Sequence, residues 1–143
     1  MATGHANVRS LLNAFERIGV DAALTEDPET VRRADRAVLP GVGAFGAVAA
    51  RLEALCLMQA LRDRITQDRP LLGICLGLQL FLDASEESPG AVGLGAVPGG
   101  VTRLAVQDGA KVPHVGWNLV TPAGSDPVLG GKPFHAYFVH SYA

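Results

Sequence analysis

Charge is scarce in this chain: only 18% of its 143 residues are Asp, Glu, Lys or Arg, against roughly a quarter in an ordinary soluble domain. The 12 basic and 14 acidic side chains leave a formal charge of −2, and the basic ones are scattered rather than clustered. No basic footprint for nucleic acid or for an anionic membrane surface is present, so neither is expected as a partner. Cysteine is nearly absent: Cys56 and Cys75 make neither a disulfide framework nor a Cys-x-x-Cys metal pattern, and no metal or cofactor is expected. No apolar run approaches the roughly 18 residues of a membrane span, and no basic-then-apolar leader opens the sequence, which predicts a cytoplasmic location. Gly-Lys-Ser/Thr and Gly-x-Gly-x-x-Gly are missing too, so the glycines between 90 and 100 read as turns rather than a phosphate cradle. What remains is apolar: 48% of the residues are hydrophobic, enough for one sizeable core and one domain spanning 1–143.

Apolar spacing divides the chain into alternating helices and short strands. Val8, Leu11, Leu12, Phe15 and Ile18 recur at three- and four-residue intervals before Gly19, predicting an amphipathic helix over 7–18. Asp27-Pro28 supplies a cap and a first-turn proline for a short helix ending near Ala34. Ala37-Val38-Leu39 reads as a buried strand, and 47–67 as one long helical region with Leu52, Leu55, Met58 and Leu61 on its inner side. Cys56 then falls in the core. A strand over 71–74 and a helix from Leu76 follow, which predicts a parallel sheet covered on both faces, with ligands beyond the carboxyl ends of its strands. Beyond Glu87 the grammar changes to glycine-punctuated strand candidates at 101–106, 111–115 and 136–139, an antiparallel extension.

Chemistry concentrates at Gly73-Ile74-Cys75-Leu76-Gly77. A strand feeding a helix through so short a bend forces its central residue into strained backbone space, and flanking glycines let neighbouring turns and a substrate approach. The helix start aims amide N–H groups at the sulfur. Pro40-Gly41-Val42-Gly43-Ala44-Phe45-Gly46 follows the earlier strand, and in a parallel sheet that end lies on the same edge as the cysteine. A nucleophile and backbone donors for an oxyanion are therefore in hand, two of the three parts that acyl chemistry on an amide needs.

These segments, together with Gln79, Ser85-Glu86-Glu87, Pro113-His114-Val115-Gly116-Trp117-Asn118 and Tyr137-Phe138-Val139-His140-Ser141-Tyr142, make the chain resemble the glutaminase subunits of imidazole glycerol phosphate synthase. These are class I glutamine amidotransferases. The resemblance implies an α/β fold of that class, flavodoxin-like, with a mostly parallel sheet flanked by helices. It implies that Cys75 attacks the carboxamide of glutamine while the Leu76 amide and one from Val42 or Gly43 stabilise the oxyanion. Gln79 and Glu87 would hold the amino-acid end, and the Ser141-Tyr142 backbone its carboxylate. Ammonia would pass to a cyclase subunit, a (β/α)8 barrel, within a heterodimer serving histidine biosynthesis, with His114, Trp117 and Asn118 facing that partner.

The family's downstream His-Pro-Glu motif, which supplies the base and the group that orients it, has no match before Ala143, and His5, His114, His135 and His140 lack its spacing. The family's opening strand and Asp-Tyr-Gly-x-Gly-Asn turn survive only as Thr3-Gly4-His5-Ala6-Asn7. An incomplete domain, lacking a first strand and a C-terminal part and inactive for want of a base, is the resulting expectation. The alternatives are a noncatalytic cyclase-docking fragment and a related cysteine amidase.

Overall fold

The computed structural model describes residues 8–106, 111–125 and 127–143; the segment Thr3–Asn7, and His5 with it, lies outside them. Eleven elements follow in the order α1 (Val8–Arg17), α2 (Pro28–Arg33), β1 (Ala37–Gly41), α3 (Phe45–Ala54), α4 (Leu57–Thr66), β2 (Leu71–Cys75), α5 (Leu76–Gln79), β3 (Ala84–Ser85), β4 (Gly100–Val101), β5 (His114–Val120) and β6 (Phe134–His140). They fall into two compact units, one up to Thr102 and one from Arg103.

In the first unit β1 and β2 pair in parallel, with Ala37 opposite Leu71 and Gly41 opposite Cys75. The core gathers Leu39 of β1, Phe45, Val48 and Leu52 of α3, Leu57, Met58 and Leu61 of α4, and Leu76 and Leu80 around α5. The expected α1 forms, and it stops as its glycine predicts: Gly19 turns to φ 73°, and bonds from Gly19 N to Glu16 O and from Val20 N to Phe15 O close the end. Its apolar side is not a core face, however, since none of its residues is buried and Ile18 is 70% exposed. Asp27 caps α2 as expected, accepting from the Thr30 hydroxyl and from Thr30 N at 2.7 Å, and these bonds, the hydroxyl's above all, hold its carboxyl below the ordinary carboxylate value.

Three expectations fail here. The region 47–67 is two helices, because Cys56 adopts a left-handed conformation at φ 56° and breaks the run; this thiol is exposed, not core. Among the described residues the sheet is only partly covered on its second face: α5 lies over the side of Leu39, Gly41 and Gly73, while on the other side Pro40 is buried but Leu72 and Ile74 keep 41% and 37% of their surface. The strand over 101–106 shrinks to Gly100–Val101, which ends where its parallel neighbour β3 ends; Arg103 makes only a single antiparallel bridge, with Tyr142.

Arg64 of α4 is fully buried. Its guanidinium donates to the carbonyls of Val31 at 2.8 Å and Ala34 at 2.6 Å at the end of α2, and to Pro70 O at 2.6 Å just before β2. Pro70 O also accepts from Ala37 N at 3.1 Å, so one side chain ties α2, α4 and the β1–β2 pair together. Its partners are backbone carbonyls, which no substitution of Arg64 removes. Arg64→Met should therefore lower stability by about 2 kcal/mol or more. Urea denaturation checks this, and an unchanged midpoint would contradict it.

The passage from β2 to α5 depends on two close approaches. A Cβ on Gly73 would lie 2.6 Å from Leu78 Cα, and one on Gly77 would overlap the Leu39 carbonyl oxygen. The helix can lie on the strands only because neither residue has a side chain. Gly77→Ala should cost about 3 kcal/mol or more, since backbone rather than a flexible side chain has to give way; a wild-type denaturation midpoint would refute the packing described.

In the second unit β5 and β6 form an antiparallel ladder from His114 opposite His140 to Val120 opposite Phe134; the strand expected over 111–115 begins only at His114 and runs on to Val120, while that expected over 136–139 lies within β6. Alternation places Trp117 and Tyr137 on one face, with ring centroids 5.5 Å apart. His114, Phe138 and His140 share the other, where His114 stacks on Phe138 at 5.2 Å.

Candidate active site

Cys75 closes β2 and caps α5 at φ 55°, ψ −120°. This region is costly for any residue with a Cβ, by about 1–3 kcal/mol, and persists only where the surroundings over-determine it. The surroundings do so: the ladder fixes Cys75 beside Gly41, and α5 is held down through Gly73 and Gly77. The thiol is exposed, as a nucleophile approached from solvent must be. Leu76 is the first residue of α5, so its amide belongs to the N-terminal donors that lack an intrahelical acceptor. Gln79 ends the same short helix, one turn beyond the cysteine.

Gly41 lies opposite Cys75 in the ladder, and α3 begins at Phe45. Only Val42, Gly43 and Ala44 connect the two. Gly43 takes φ 97°, a conformation that favours glycine, and the connector's amides lie on the strand edge that carries the cysteine. Ala44 occupies the cap position of α3 and offers no side-chain bond. The cap comes instead from the loop after β3. Glu87 Oε2 accepts from Phe45 N at 2.8 Å and Ser88 Oγ accepts from Gly46 N at 3.0 Å. A helix start with no cap of its own was the readable signal that another segment had to supply one; Ser88 was missed because it lies 42 positions from Gly46.

Within the first unit the structure thus gathers Cys75, Leu76, Val42, Gly43, Gln79 and Glu87 around one strand edge and the helices that leave it. The remaining predicted residues belong to the second unit. Ser141 and Tyr142 follow β6, where Leu104 N donates to Ser141 O at 2.9 Å and Tyr142 O accepts from His140 Nδ1 at 3.1 Å. His114 Nδ1 lies 3.0 Å from His140 Nε2, and His114 Nε2 lies 2.9 Å from Asn118 Oδ1. Trp117 stands an odd number of residues from both His114 and Asn118, so it projects from the opposite face of the ladder and remains 70% exposed. No group of three or more His, Cys, Asp or Glu able to hold a metal occurs among the described residues. No helix among them is long and apolar enough to cross a membrane.

Comparison with known proteins gives this geometry its context. Residues 3–143 match the family model "Glutamine amidotransferase class-I". The chain is 49% identical over 140 residues to "Imidazole glycerol phosphate synthase subunit HisH" of Methanothermobacter thermautotrophicus, covering 97% of this chain and 69% of that protein. It is 46% identical over 142 residues to the protein of the same name in Symbiobacterium thermophilum, covering 98% and 66%. The chain therefore spans about two thirds of the length of these relatives. Among solved structures, "Crystal structure of glutamine amidotransferase" superposes with a TM-score of 0.73 at 19% identity, over 93% of this chain and 66% of the other, and shares the fold. The chain belongs to the class I glutamine amidotransferases, among the glutaminase subunits of imidazole glycerol phosphate synthase.

Proposed function

We propose that this chain carries the nucleophile and oxyanion turn of a glutaminase that hydrolyses L-glutamine to glutamate and delivers ammonia to a cyclase subunit of (β/α)8 barrel fold, in the cytoplasm, for histidine biosynthesis. The observation that carries this reading is the strained, exposed Cys75 beside Gly41 in the ladder. The Cys75 thiolate attacks the carboxamide carbon, and the carbonyl π electrons move to oxygen, where the amides of Leu76 and of Val42 or Gly43 receive the charge. Collapse breaks the C–N bond and ammonia leaves with a proton from a general acid. Water then hydrolyses the γ-glutamyl thioester and restores the thiol. Gln79 and Glu87 orient the amino end.

No histidine lies among the described residues of the first unit; in this reading the imidazole that serves as base and acid is that of the family's downstream His-Pro-Glu motif, and such help is worth roughly 10²- to 10⁴-fold. His114, Trp117 and Asn118 remain the partner-facing residues of this reading, with one refinement. One flat contact cannot use all three, and the exposed Trp117 face is the better anchor, since His114 and Asn118 are already bonded to each other.

Acylation of the thiol by an activated γ-aryl ester of glutamate, whose leaving group needs no proton donor, tests the reading. Cys75→Ser should lower the acylation rate by roughly 10⁴-fold or more, and Cys56→Ser should leave it unchanged. Acylation that survives Cys75→Ser would overturn the proposal, and cyclase binding without any acylation of the unsubstituted chain would favour a noncatalytic docking role.

A further inference from the structure

We propose that Ser88, seconded by Glu87, is a positioning residue for the oxyanion turn, acting through the first turn of α3. The inference rests on the reading of residues 42–44 as the turn that supplies an oxyanion donor. That connector is three residues long and its two ends are fixed by different means. At the β1 end, Gly41 is locked in the ladder opposite Cys75. At the α3 end, Phe45 and Gly46 are fixed by Glu87 and Ser88 through bonds of 2.8 and 3.0 Å, the helix having no side-chain cap of its own. Between these anchors the conformation turns on Gly43, a residue that takes positive and negative φ about equally well. Release of either anchor lets that glycine explore other conformations, and a donor displaced by about 1 Å from a developing oxyanion loses much of its effect.

The loop holding Ser88 is itself braced. Glu86 N donates to Val101 O at 2.9 Å, Ser88 N to Ser85 O at 3.2 Å, and Glu87 N to the Ser85 hydroxyl at 3.2 Å. Ser85 is buried. The position of Ser88 is thus set by the β3–β4 pair, and its hydroxyl conveys that position to α3. Contact at this point is close: a Cβ on Gly46 would lie 2.9 Å from Ser88 Cβ. Glu87 both caps Phe45 and, in the proposed function, holds the substrate's amino end. Ser88 only caps the helix, through Gly46 N, which makes it the cleaner probe.

The experiment measures acylation of Cys75 by an activated γ-aryl ester of glutamate, whose leaving group needs no proton donor, together with amide hydrogen exchange at residues 43–46. Ser88→Ala should lower the maximal acylation rate about tenfold, leave the apparent affinity for the ester nearly unchanged, and speed exchange at Gly43 and Gly46. Ser88→Thr, which keeps the hydroxyl, should restore both. Should Ser88→Ala fail to fold, Gly46→Ala separates the same two segments without removing the hydroxyl and should act in the same direction. Unchanged exchange and unchanged acylation in either variant would overturn the proposal. Faster exchange with unchanged acylation would support the positioning and overturn the reading of the turn as an oxyanion donor.

Discussion

Everything around the candidate site depends on the backbone at Cys75. At φ 55°, ψ −120° the chain reverses from strand into helix within a single residue, which presents the sulfur at the rim of the sheet and brings α5 back over the strands just left. The cost of that conformation, about 1–3 kcal/mol, is comparable with one or two net hydrogen bonds, so no single contact needs to offset it. Two features together do: the parallel ladder up to Gly41 and Cys75, and the fit of α5 against Leu39 and Gly73 that glycine at 73 and 77 permits.

The same constraint orders the rest of the first unit. Because β1 ends opposite the cysteine, whatever follows β1 must pass beside the sulfur, and a three-residue path to α3 leaves little freedom to do otherwise. Both anchors of that path are built from ordinary hydrogen bonds, about 1 kcal/mol net apiece, and together they fix its two ends. Arg64 performs the equivalent task on the far side of the ladder, joining the end of α2 to the start of β2 through carbonyl groups.

Much of this was legible in the sequence, and for local reasons. Gly19, Asp27-Pro28 and the glycines around Cys75 act on backbone within a few residues, so the end of α1, the cap of α2 and the bend at the cysteine could be read directly. The break at Cys56 could not, since nothing in Leu55-Cys56-Leu57 announces a left-handed residue. The burial of Arg64 and the cap from Glu87 and Ser88 escaped for a different reason: apart from Pro70, their partners are backbone groups some 30 to 42 positions away, which periodicity does not register. For the same reason α1 misled. Its spacing showed an apolar side correctly, but what covers such a side is a tertiary matter, and none of its residues is buried in this structure.

The central claim is that the bend, and not mere thiol exposure, makes Cys75 the nucleophile. The two cysteines allow a direct test, because both are exposed and only Cys75 sits on a strand-to-helix turn. Peptide mapping after exposure to a diazo-ketone analogue of glutamine, with and without excess L-glutamine, measures the difference. The account predicts an adduct on Cys75 alone, suppressed by L-glutamine. An adduct on Cys56, or equal labelling of both thiols that L-glutamine leaves untouched, would contradict it.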